Sequence, residues 1–157
     1  MGEDPRDRSE SAERGRPPWA DLDDVDGQDV TLDKSGARTI NAQTADLKMS
    51  GAALIKAESA NLNMSFAGTV SSKNDATVNW SNVRTVAARG TVRLQYAFSR
   101  LVTAGGYIRL NNAVAGAMLA RQARVERGYV GLLVAGKAEL AEDTRVLVSP
   151  RGAAAVA

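Results

Sequence analysis

Two sets of residues recur at spacings that could do chemistry. Serines stand at Ser35, Ser50, Ser65 and Ser81, and arginines at Arg93, Arg109 and Arg124. An evenly spaced hydroxyl becomes a nucleophile only beside a group that takes its proton. The chain has no histidine and no cysteine, so the commonest bases, thiolate nucleophiles, thiolate metal sites and disulfides are all excluded. Gly105-Gly106 belongs to no Walker loop and reads as turn geometry. The serines therefore read as an internal ladder, and no catalytic, cofactor or metal site is predicted. The arginines read as a stacked basic strip, with Arg84 and Arg100 as a second pair. Adjacent like charges are unfavourable unless relieved. The acidic tail, a neighbouring subunit, anionic lipid or nucleic acid would relieve them, and so would splaying into solvent.

What positions these residues is a repeat. Copies start at Asp29, Ala45, Ala60, Asp75, Thr91, Tyr107, Ala123 and Ala138, at intervals of 15 or 16 residues. Within a copy the inward positions follow steps of 2, 3, 2, 3, 2, as in Val30, Leu32, Ser35, Ala37, Ile40, Ala42. A step of two keeps side chains on one face of a strand, and a step of three carries the chain round a corner. The second column, from Leu32 through Leu47, Leu62, Val78, Leu94, Leu110 and Val125 to Leu140, is aliphatic throughout. The pattern predicts an all-β fold: a single-stranded triangular parallel β-helix, or β-solenoid, of about eight coils over residues 29–150. The sixteenth residue of the longer coils fits as a bulge before the next coil.

Competing architectures fit poorly. Helices need apolar residues at steps of three and four, and hairpins show turn dipeptides every 8 to 12 residues. Solenoid acyltransferases use longer coils and a histidine, lyase-type solenoids group their acids, and calcium-binding repeats need GGxGxD. Thr39, Thr69 and Thr85 lack the paired threonines of an ice-binding ladder. Aromatic residues are only 4% of the chain, which suits a narrow interior.

Charge is unevenly spread. Residues 1–29 hold ten acids and four arginines, whereas residues 84–137 hold nine basic residues and one acid, Glu126. Residues 1–28 read as a disordered acidic tail, with Trp19 and Leu22 as a docking motif for another protein or as a cover for the first coil. Residues 151–157 read as a short tail. The charged start has no signal-peptide core, and no apolar run is long enough to span a bilayer. These features predict a cytoplasmic protein, peripheral at the membrane if it meets one.

Several apolar residues fall on outward positions: Met49, Met64, Trp80 and Tyr96 at one corner, Phe66 and Phe98 beside them, and Leu119 and Val134 elsewhere. They predict lateral contacts. The solenoid ends present unpaired strand edges that template another chain. Val30, Leu32 and Ile40 are assigned to one end. Leu140, Asp143, Arg145 and Val148 are assigned to the other, with Asp143 and Arg145 paired at inward positions and Pro150 closing the coil.

Stretches such as LKMSGAALIKAESANLNMS and VGLLVAGKAEL resemble the bactofilins, a polymer-forming bacterial cytoskeletal family. The resemblance implies a right-handed triangular β-helix flanked by short tails, nucleotide-free end-to-end polymerisation and membrane association; it transfers no functional residue. Together these readings predict a non-enzymatic, self-assembling scaffold whose partner is itself. The alternative is a binding module that uses Arg84, Arg93, Arg100, Arg109 and Arg124 against anionic lipid or, less readily, nucleic acid.

Overall fold

A computed structural model of the chain describes residues 21–148 and 154–156. Every regular element in it is a strand: β1 (Asp21–Asp33), β2 (Gly36–Lys48), β3 (Gly51–Asn63), β4 (Phe66–Ser72), β5 (Ala76–Asn79), β6 (Asn82–Ala88), β7 (Thr91–Gln95), β8 (Phe98–Ala104), β9 (Tyr107–Leu140), β10 (Thr144–Val148) and β11 (Ala154–Val156). Neighbouring coils pair in parallel, Asp21 on Gly36, Gly36 on Gly51, Gly51 on Phe66 and Phe66 on Asn82. The chain is a β-solenoid of stacked coils, as the repeat predicts.

The inward columns form one core. Ile40, Ile55, Val70, Val86, Val102 and Met118 stack fully buried in one column. Leu47, Leu62, Val78, Leu94 and Leu110 stack in another. Burying such a side chain stabilises by about 1.5–3 kcal/mol. The alanine and serine columns leave room for these residues in a narrow triangle.

Coil length is decided at one corner. Ala57 and Ala60 enclose two residues, whereas Ser72–Ala76, Ala88–Val92 and Ala104–Ile108 enclose three. The strand runs through the shorter corners and breaks at the longer ones, where Lys73 and Asn74, Arg89 and Gly90, and Gly105 and Gly106 bend out. There the Gly106 N–H reaches the Gly90 carbonyl at 3.2 Å, and the Thr91 N–H reaches the Asp75 carboxylate at 2.8 Å.

Both ends depart from the sequence reading. β1 begins at Asp21, so residues 21–28, read as part of a disordered tail, form strand. Val25 stacks on Ile40, and Asp29 pairs with Thr44 rather than Ala45. The aspartates hid this coil: Asp24, Asp26, Asp29 and Asp33 are exposed, while Val25 is half-buried and Val30 and Leu32 are buried. At the other end an extra residue enters the turn at Ala141–Asp143. Thr144, not Asp143, then pairs with Gly128, Val146 with Val130, and Val148 with Leu132 rather than Leu133. One residue of slip reverses which side chains face in. Asp143 and Arg145 are consequently exposed, which avoids the several kcal/mol that buried, unmatched charges would cost. Residues 154–156 add a strand on Ala138–Leu140. Trp19 and Pro150 lie outside the described residues.

The serine column is a hydrogen-bonded ladder. Ser50 N–H donates to Ser65 Oγ (3.3 Å), and Ser65 N–H donates to Ser81 Oγ (2.9 Å). The Ser65 hydroxyl donates towards the Asn63 and Leu47 carbonyls at 2.8 and 3.1 Å. Alanine fits this column, as Ala97 and Ala113 show, but cannot accept from the coil below. Ser65→Ala should therefore destabilise by about 1–3 kcal/mol, chiefly through the stranded Ser50 N–H. The buried Ser72 hydroxyl has no partner among the described residues, so Ser72→Ala should be neutral or stabilising. Thermal unfolding of the two variants checks the contrast.

Candidate functional site

One corner of the triangle is built from left-handed backbone. Lys34, Met49, Met64, Trp80, Tyr96 and Asn112 all have φ between 48° and 51°. Asparagine tolerates this region, but for other residues it costs on the order of 1–2 kcal/mol each. The corner N–H ladder, such as Met64 to the Asn79 carbonyl at 3.1 Å, holds the conformation. The turn also sends the following serine inward. Neither strain nor solubility calls for large apolar residues here, yet four consecutive coils present them to solvent, with Trp80 62% exposed. Trp80 and Tyr96 stack with ring centroids 4.3 Å apart and planes within 12°.

Phe66 and Phe98 stand on the adjoining sheet face, separated by Asn82. Between corner and face runs a shallow groove of about 770 Å³ with Ser50, Ser65, Ser81 and Ala97 on its floor. The structure thus brings together six of the eight residues predicted for lateral contact. The other two stand apart on a different face, Leu119 exposed and Val134 half-buried. Met64→Asn should keep or raise stability, by up to about 1 kcal/mol, because asparagine suits the backbone better. Chemical denaturation measures it.

The basic strip is largely neutralised from within. Glu126 accepts from Arg109 at 2.7 Å and from Arg124 at 3.1 Å, and Glu139 lies 3.7 Å from Arg124. For Arg109 and Arg124 the relief sought from a partner thus has a source in the solenoid itself, through Glu126, which reaches both, and Glu139. Arg84, Arg93 and Arg100 have no acidic partner among the described residues. Asp143 pairs with Arg127 at 3.6 Å, not with Arg145 as predicted.

At the first end Val25 is half-buried, Val30 and Leu32 are buried, and Ile40 is fully buried under Val25. Ile40 is therefore an interior residue, and Val25 takes its place in the end layer. Its signal in the sequence was the interval of 15 to Ile40, masked by surrounding aspartates. At the other end Val146 is half-buried and Leu147 exposed, while Leu140, assigned to this end, pairs with Val156 of β11 and so lies one rung inside it. Among the described residues β1 bonds only to β2, and β10 and β11 bond only to β9. Each end thus presents a strand edge that no described strand covers.

No protein-family model, curated protein or solved structure matches the chain.

Proposed function

We propose that the chain is a non-enzymatic scaffold that assembles end to end, each copy continuing the coil stack of the next. The open edges of β1 and of β10 and β11 support this reading. A parallel solenoid edge carries alternate unpaired N–H and C=O groups, and another parallel edge satisfies them. Val25, Val30 and Leu32 at one end and Val146 at the other would extend the same core across the junction.

The joining is polar. β1 holds six aspartates and no basic residue, so two such ends repel. At the other end β10 carries the exposed Arg145 and no acid. Head-to-tail stacking brings these unlike charges to adjacent rungs. Arg109 and Arg124, matched to Glu126, leave the alternative of a basic binding strip with less free charge. Sedimentation velocity across a concentration series tests the proposal: growing end-joined species support it, and a single chain at all concentrations refutes it.

A further inference from the structure

A hollow of about 690 Å³ lies on the side of the rod, across the coils that follow β1. Gly36, Gly51, Ala53 and Gly68 form its floor, and the exposed ring of Phe66 walls it. Gly36 pairs with Gly51 and Gly51 with Phe66, so floor and wall follow one another down consecutive rungs. Arg38 and Arg84, both exposed, bound it. None of its lining residues has a buried polar side chain, so nothing there would fix the orientation of a small polar ligand.

We infer that the segment preceding β1 folds back along the rod and seats Trp19, with Pro17 and Pro18, in this hollow. The chain enters β1 at Asp21, which pairs with Gly36 at the rim of the hollow. An extended residue spans at most about 3.3–3.6 Å, so Trp19 is held within about 7 Å of Asp21. Successive rungs are about 4.8 Å apart, which puts the floor within reach of the indole. Within residues 1–20 the apolar side chains gather at 17–20, next to this entry point. Proline fixes φ, so Pro17 and Pro18 lose little freedom on docking. Phe66 offers the indole a ring to pack on, and Arg38 and Arg84 can lie over its faces. Charge plays little part. Residues 1–20 hold five acids and four arginines, and Asp23 falls in the column of Arg38.

Two other placements fit less well. As a further rung on β1, the segment would set Pro17 and Pro18, which have no N–H, against the open edge. Trp19 of a second copy would compete with a tethered Trp19 whose effective concentration is on the order of millimolar. The inference stands apart from end-to-end assembly, since the hollow lies on the side of the rod. A segment docked there leaves the edge of β1 open.

The test uses the full chain. Trp19 and Trp80 are its two tryptophans, so Trp80→Phe leaves Trp19 as the only reporter. Docking predicts Trp19 emission blue-shifted from that of a peptide of residues 1–20, and acrylamide quenching several-fold slower. Both signals should withstand dilution and high salt. Gly51→Gln with Ala53→Glu fills the floor and should return both signals to the peptide's values. A Cβ at Gly51 meets nothing within 4 Å and Ala53 is exposed, so the fold tolerates the pair; circular dichroism verifies it. Phe66→Ser, which removes the wall, should cost much of the protection. Phe98→Ser, two rungs farther along, should leave it unchanged. The inference is overturned if Trp19 is quenched as fast in the full chain as in the peptide, or if its protection survives either hollow variant. Protection lost on dilution would assign the hollow to a second copy, and protection lost in salt would assign the docking to ion pairs; each result overturns the inference. So does protection that falls with Phe98→Ser, which would place the segment in the corner groove.

Discussion

Val25→Asp should stop assembly and leave the single chain folded, whereas Ile40→Asp should unfold it. The two residues share a column one coil apart, so the contrast isolates what being terminal means. Ile40 is fully buried, and a carboxylate there has no partner. The cost, about 4 kcal/mol or more, is a large share of the stability of a domain this size. Val25 is half-buried and has only one neighbour coil among the described residues. An aspartate can turn to water in the single chain, at about 1–2 kcal/mol. In a filament the same carboxylate would be enclosed at every junction. The concentration needed for assembly should rise at least about tenfold, since enclosure costs several kcal/mol per junction. Circular dichroism reads the fold and sedimentation reads the assembly. Normal filaments from Val25→Asp would remove this end from the junction.

Gly128→Ala should be among the most damaging substitutions for its size. Gly128 has φ of 153°, and a Cβ there would run into the Ala113 carbonyl oxygen and the Leu110 side chain. Neither can retreat, because Ala113 is fixed by the ladder and Leu110 is fully buried. Backbone strain and overpacking together put the loss at roughly 2–5 kcal/mol. Gly51→Ala is the control. A Cβ there meets nothing within 4 Å, and alanine in a strand should stabilise by about 0.5–1 kcal/mol. Urea unfolding of both variants measures the difference, and equal stabilities would mean that the corner is looser than its geometry implies.

The columns were legible because a period of two repeated over stacked coils leaves few alternatives. Leu47, Leu62, Leu94 and Leu110 can share one side only if the coils stack in register. What escaped the reading was local and electrostatic. The first coil hid behind its aspartates, which look like a disordered tail until Val25 and Val30 are aligned with Ile40 and Ala45. The last coil kept its length in sequence but gained a residue at the Ala141–Asp143 turn, and Asp143 and Arg145 moved from core to solvent. Charged residues at inward positions were the warning, because burying them is dear and shifting one residue is cheap. Glu126 was visible as the single acid in a basic stretch, but its place between Arg109 and Arg124 depends on side-chain reach across rungs. The left-handed corner carried no glycine to announce it; Asn112 alone was of a type that prefers such a backbone.

Fibre diffraction from concentrated, aligned full-length protein bears most directly on the joining of coil ends. Continuous coil stacking predicts long unbranched filaments with a meridional reflection near 4.8 Å, the rung spacing running along the filament axis. Particles that stay one solenoid long at every concentration, or filaments whose rungs lie across the axis, would contradict it.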